Sequence, residues 1–280
     1  MQAASKRVLA IHDLSGWGHT SLLAAIPIFY HYGIQVAALP TAILSTNTDY
    51  PGYVLDDQTA QMRATISHWK SLGIRFDAIY SGFIGSPGQA ELIAEAIASF
   101  AREDSFILID PVLGDAGELY GCYDSGMIDA MRALLPLADL ITPNYTEAAL
   151  LLGKAWDPHA DASVIEQNCR LLQNTGAKNI VLTSAPHPEP ERTAVAILTQ
   201  AQDFQLLDCK YLPAVYPGAG DVFASVLLAE ILSGTPLPSA ALAAIAFVFK
   251  GIQTSMRTGQ DRRDGICLEK VLRRAACRCC

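Results

Sequence analysis

Short apolar, β-branched runs alternate along this chain with longer stretches in which apolar residues recur at helical spacing. Buried strands are predicted at Arg7 to His12, Ile34 to Leu39, Asp77 to Tyr80, Ser105 to Ile109, Leu137 to Thr142 and Asn179 to Thr183. Between them, helices are predicted at Thr20 to Tyr32, Asp57 to Leu72, Gln89 to Arg102, Ser125 to Leu135 and Ala162 to Thr175. Such alternation specifies an α/β fold, a mostly parallel central sheet flanked by helices in three layers. The rhythm then changes. Ala194 to Leu198 and Phe204 to Tyr211 read as consecutive strands and predict an antiparallel edge hairpin, after which helical patterns at Asp221 to Leu232, Ser239 to Met256 and Cys267 to Ala276 close the chain. With no repeat, linker or break in composition, residues 1–280 are expected to form a single domain.

Composition narrows the function classes. At 51% hydrophobic and 17% charged residues, the chain has a core to bury and is not disordered. Its net charge of -8 argues against a nucleic-acid binder, whose affinity would come from basic contacts to phosphate. The longest uninterrupted apolar run, Ala240 to Phe249, is about half of what a membrane span needs. The apolar stretch after the N-terminus is also too short for a signal peptide, so a soluble cytoplasmic protein with no membrane partner is expected. Seven cysteines, with Cys277, Cys279 and Cys280 crowded at the end near Cys267, read as free thiols at a frayed terminus or as a metal or redox tail. No His or second Cys pair completes a zinc site.

In parallel sheets, ligands bind beyond the carboxyl ends of the strands. Here those loops carry His12-Asp-Leu-Ser-Gly-Trp-Gly-His19, Ser81-Gly-Phe-Ile-Gly-Ser86, Asp110-Pro-Val-Leu-Gly-Asp115 and Thr142-Pro-Asn-Tyr-Thr-Glu147. One such loop is ordinary turn chemistry; four on one edge point to a site. Tyr216-Pro-Gly-Ala-Gly-Asp-Val-Phe-Ala224 is more informative. Gly218, Ala219 and Gly220 let backbone N–H groups meet an anion at a helix start, and Asp221 follows where it could take a proton from a hydroxyl beside that anion. A plain helix N-cap is the competing reading. Between Phe76 and Ala160 the basic residues are Arg102, Arg132 and Lys154. A phosphate bound there would therefore need backbone amides and a metal, and Asp110, Asp115 and Glu147 offer hard oxygen ligands suited to Mg²⁺. Walker, dinucleotide-binding, zincin and α/β-hydrolase signatures are absent. His12 and His19 flank the first loop and read as substrate contacts or, more simply, as structural histidines.

The ordered set Asp110 to Asp115, Ile141 to Glu147, Val181 to Ser184 and Gly218 to Asp221 resembles the ribokinase-like superfamily, and within it the pyridoxal/pyridoxamine kinases. The closer match rests on Ser45-Thr-Asn-Thr-Asp-Tyr50, Ser81 to Ser86 and Gly117-Glu-Leu-Tyr120. The resemblance spans about Val8 to Gly251. It implies transfer of the ATP γ-phosphoryl group, with Mg²⁺, to the 5′-hydroxymethyl group of a vitamin B6 compound, and leaves a monovalent-cation requirement open. Asp221 would be the base and Gly218, Ala219 and Gly220 the anion hole. Asp110 and Glu147 would lie at the metal, and Asp115, Asn144, Glu147, Thr183 and Ser184 along the ATP. Asp13, Ser15, Asn47, Thr48 and Phe83 would contact the vitamer, with Tyr120 on a lid. A homodimer is common in this branch.

Three positions depart from many pyridoxal kinases, which have Ser early in the first loop, His where Asn47 falls and Tyr where Phe83 falls. Asp13-Leu-Ser-Gly16 is instead similar to the first loop of hydroxymethylpyrimidine kinases, the alternative substrate class. A sugar or nucleoside kinase lacks its early Gly-Gly motif here. A noncatalytic B6 carrier would not need the intact Asp221 and its glycines.

Overall fold

The computed structural model describes residues 5–272. The chain runs β1 (Arg7–Ser15), α1 (Ser21–His31), β2 (Gln35–Leu44), β3 (Leu55–Asp57), α2 (Thr59–Ser71), β4 (Phe76–Ser81), α3 (Gln89–Phe100) and β5 (Ala101–Ile109). It continues through β6 (Gly114–Asp115), β7 (Glu118–Leu119), α4 (Ser125–Leu134), β8 (Leu140–Ile141), α5 (Tyr145–Leu152) and α6 (Ala162–Gln173). Last come β9 (Asn179–Ala185), β10 (Arg192–Leu198), β11 (Phe204–Lys210), α7 (Ala219–Leu232), α8 (Leu237–Thr258) and α9 (Leu268–Val271).

Nine strands form one sheet in the order β11-β10-β9-β8-β5-β4-β1-β2-β3, and β6 pairs with β7 in a separate small hairpin. The six strands from β9 to β2 are parallel, as the alternation predicts. The predicted edge hairpin is present, and β10 also runs antiparallel to β9, while β3 adds an antiparallel edge at the other end. Because both faces are covered, the central strands are apolar on both sides. In β1, Leu9 and Ile11 enter the core shared with α2 to α6, while Val8 and Ala10 enter the core shared with α1, α7 and α8.

Several bounds differ from the sequence reading for local reasons. β8 is two residues long because Leu135–Leu137, with Pro136, turns as a 3₁₀ helix before it. The unpredicted α5 starts at a capping box, in which Asn144 Oδ1 accepts from the Glu147 amide and the Glu147 carboxylate accepts from the Asn144 amide. Of the last predicted helix, Leu268–Val271 is helical, and Cys277, Cys279 and Cys280 lie outside the described residues. Cys267 is buried and free. By length and composition α8 could cross a membrane, which run counting missed because polar residues interrupt it. Its Ala240, Ala241, Ala244, Gly251 and Ser255 are buried.

Phe100 anchors one core, fully buried and edge-on to Phe76 and Trp69 at centroid distances near 6 Å. Phe100→Ala is expected to cost about 3–5 kcal/mol, read from the urea midpoint at unchanged slope.

Candidate active site

A cavity of about 840 Å³ opens beyond the carboxyl ends of β1, β4, β5, β8 and β9, and every catalytic, metal, nucleotide and vitamer residue singled out from the sequence borders it. Three of the four non-glycine residues with positive φ among the described residues also border it, at Ser21, Ala116 and Ser184. Backbone strain of this kind concentrates where a site over-determines the chain.

At its floor sits Asp221, buried in the first turn of α7. Its Oδ1 lies 3.0 Å from His12 Nε2, and its Oδ2 accepts from the Ser21 amide at 2.6 Å, so the same carboxylate closes the N-terminus of α1. Burial alone would raise its pKa, but the His12 charge and hydrogen bond and the Ser21 amide prevail and hold it below the ordinary carboxylate value. Helix N-termini favour such an anion. His12 in turn lies 2.9 Å through Nδ1 from Asp13 Oδ1. The sequence reading left His12 between a substrate contact and a structural histidine and did not pair it with Asp221; its signal was its place beside Asp13 in a buried strand. His19 does not border the cavity and sits 3.8 Å from Glu269.

The residues singled out as an anion cradle form the turn into α7. Gly218 is left-handed with φ +79°, and a Cβ there would stand 2.4 Å from the His19 carbonyl oxygen, so no other residue fits without moving the first loop. α7 starts at Ala219, two residues earlier than the sequence reading, which puts Gly218, Ala219 and Gly220 at the helix entrance.

Across the cavity Asp110 and Glu147 form a buried acidic pair. Asp110 Oδ1 accepts from Thr142 Oγ1 at 2.8 Å, and Glu147 accepts from the Leu113 and Asn144 amides. Burial, then the neighbouring Asp221 charge, raises Asp110 to about 7, and burial followed by Asp110 raises Glu147 well above its ordinary value. Among the described residues no three His, Cys, Asp or Glu side chains are arranged as a complete metal site. A pair of uncompensated buried carboxylates nevertheless fits Mg²⁺, which commonly takes one or two protein carboxylates and completes its shell from phosphate and water. Asn144 also borders the cavity, but its amide is engaged, accepting from Glu147 and donating to the Gly114 carbonyl. Asp115 and Tyr120 come from the β6–β7 hairpin and the residue after it, in the position of a flap.

At the opposite end, Asp13 accepts from Ser15 Oγ at 3.0 Å as well as facing His12, so both of its oxygens are engaged. Phe83 is buried, stacks on Tyr123 at 5.3 Å and packs in one cluster with Leu44, while Thr48 also borders the cavity. Asn47 accepts from the Asp49 amide and donates to the Arg263 carbonyl. The latter contact belongs to a clasp. Asp264, in the turn after α8, accepts from Trp17 Nε1 and Tyr50 Oη, and Arg263 lies 4.5 Å over the Tyr50 ring.

The sequence reading did not find the apolar end of the cavity. Ile245, Val248 and Ile252 form a stripe at i, i+3 and i+7 along α8 and, with Leu212, Val215 and Phe223, give the cavity an apolar part of its lining. Arg192, paired with Asp208, and Lys210 also border the cavity, from the edge hairpin.

Residues 22–264 match the phosphomethylpyrimidine kinase family. A pyridoxine/pyridoxal/pyridoxamine kinase of Bordetella bronchiseptica is 32% identical over 90% of both chains. A protein of Bacteroides thetaiotaomicron, provisionally described as a phosphomethylpyrimidine kinase and solved with pyridoxal, superposes with a TM-score of 0.93 at 42% identity, covering 96% of this chain and 95% of its own. The pyridoxal kinase of Lactobacillus plantarum superposes at 0.88, with 31% identity and 96% of each chain covered.

The acidic pair gives a pH signature. Because the folded Asp110 titrates near 7 rather than at its ordinary 3.8, the native state keeps a proton that the unfolded chain has released, and stability falls as pH rises through that interval. Without metal, Asp110→Asn is therefore expected to be more stable than the native chain at about pH 8, with the gap narrowing by about pH 5, in urea unfolding at both values.

Proposed function

Because the chain belongs to the phosphomethylpyrimidine kinase family, we propose that it phosphorylates the 5′-hydroxymethyl group of pyridoxal, pyridoxamine or pyridoxine from ATP, a vitamin B6 salvage kinase. The observation that carries this reading is the ionised, buried Asp221 at the entrance of α7, opposite the Asp110–Glu147 pair in one cavity. The named activities of the relatives and the pyridoxal-bound neighbour support B6 as the acceptor.

Asp221 accepts the hydroxymethyl proton as the hydroxyl oxygen forms its bond to the γ-phosphorus. The bond from that phosphorus to the β–γ bridging oxygen breaks, and its electron pair leaves with ADP. The amides at Gly218 and Gly220 stabilise the negative charge on the phosphoryl group in flight, and that of Ala219 joins them if it leaves the Tyr216 carbonyl it now meets at 3.2 Å. Asp110 and Glu147 would hold Mg²⁺, which supplies neutralisation of the ATP phosphates. Phe83, backed by Tyr123, gives the ring an apolar wall, and the apolar lining along α8 suits the adenine.

A second reading, phosphorylation of hydroxymethylpyrimidine, is favoured by the family match itself and by the Asp13-Leu-Ser-Gly16 loop. ADP release with ATP and Mg²⁺ separates the two when pyridoxal, pyridoxamine, pyridoxine and hydroxymethylpyrimidine are compared and the product is weighed. A B6 vitamer is expected to turn over, and Asp221→Asn to lower kcat by roughly 10²- to 10⁴-fold while binding persists. Turnover of the pyrimidine alone would move the chain to the second reading. Silence on all four would overturn the kinase reading.

A further inference from the structure

His12 is buried within β1, three residues before its end, and the phosphoryl-transfer chemistry assigns it no substrate contact. Its surroundings are nonetheless built around it. A Cβ on Gly82 would stand 2.1 Å from both Cδ2 and Nε2 of the imidazole, so the ring occupies the space a side chain at position 82 would need. Each ring nitrogen faces a carboxylate oxygen, Nδ1 that of Asp13 at 2.9 Å and Nε2 that of Asp221 at 3.0 Å. Donation to both carboxylates requires the doubly protonated ring, and it competes with the Asp13 amide, 3.0 Å from Nδ1, and the Phe83 amide, 3.4 Å from Nε2, which face the same nitrogens. With Ser15 Oγ donating to Asp13, a continuous chain Ser15, Asp13, His12, Asp221 links the wall assigned to the vitamer with the reacting end.

We propose that His12 is the positioning residue of the base: anchored by Asp13, it orients the Asp221 carboxylate together with the Ser21 amide and keeps a positive charge against it. This rests on the kinase reading above. The groups facing His12 are Asp13 on its own strand, Asp221 from α7, Tyr80 from β4 at a ring-centroid distance of 5.8 Å, and the charge of Asp110 beyond β5. Burial works against the cation, but the Asp221 charge and the hydrogen bonds to Asp13 and Asp221 outweigh it and lift the imidazole to about 10. His12 therefore stays charged across the pH range in which Asp221 must be ionised, and removing that charge raises the pH at which Asp221 loses its proton. A residue that merely filled space would leave that pH unchanged.

The test compares native enzyme, His12→Gln, Gly82→Ala and Asp221→Asn in steady-state kinetics across pH, with whichever acceptor the ADP-release assay identifies. Gly82→Ala keeps His12 in the chain but forces the ring away from its place. For both His12→Gln and Gly82→Ala, kcat is expected to fall roughly 10- to 100-fold with the acceptor KM changed less than about threefold, and the acid limb of kcat to move to higher pH. A His12→Gln enzyme with native kcat and an unmoved acid limb, beside an inactive Asp221→Asn, overturns the role of His12 and leaves the kinase reading standing. A native enzyme that turns over no acceptor defeats the kinase reading and this role with it. Where the variants do not fold, ¹⁵N NMR of the native chain decides: both nitrogens of His12 are expected to be protonated near neutral pH, and a neutral ring overturns the proposal.

Discussion

The structure turns on one buried ion cluster, in which the carboxylate of Asp221 ties the end of the first strand to the starts of two helices. Burying a carboxylate costs several kcal/mol unless it is paired and hydrogen-bonded. Here one oxygen meets His12 and the other the first amide of α1, while the group itself rides on the first turn of α7. The pairing therefore serves folding as well as chemistry, because it joins β1, α1 and α7 at the single point where the phosphoryl group would be transferred. The partners are 209 residues apart in sequence for His12 and 200 for Ser21, so no local segment contains the constellation.

Around this point the cavity divides by chemistry. Facing Asp221, two carboxylates share a region in which burial and mutual charge outweigh the nearby His12, and their raised pKa values are the signature of an environment that awaits positive charge. Asp221 and Asp110 are both enclosed, yet one is held ionised and the other is pushed toward neutrality. The difference lies in partners, an imidazolium and an amide for one, a threonine hydroxyl for the other.

Much of this was legible in the sequence. The β-α alternation gave the parallel sheet because covered strands must be apolar on both faces, and the polar strand-end loops gave the site because such sheets bind ligands there. Missed features share a physical cause: they depend on what a residue faces across the fold. The pattern of His12 matches any histidine at a strand end until Asp221 arrives opposite it. Ile245, Val248 and Ile252 look like core, since a stripe on a helix does not say whether a sheet or a cavity lies against it. The start of α5 was readable, because Asn144 and Glu147 stand at capping-box spacing, but the same two residues had been taken for nucleotide contacts. Asn47 likewise borders the cavity while its amide holds two loops together.

The clasp at Asp264 has a consequence for biosynthesis. The two loops it gathers, carrying Trp17 and Tyr50, leave the ribosome early, while the carboxylate that fastens them arrives more than two hundred residues later. Sheet strands from β1 to β9 can pair as they emerge, but the substrate end of the cavity stays open until the turn after α8 has been made and docked. A nascent chain thus acquires its scaffold well before its pocket, and a ribosome that stops short of residue 264 releases a product with a sheet and with Asp221 but with the loops of Trp17 and Tyr50 untied.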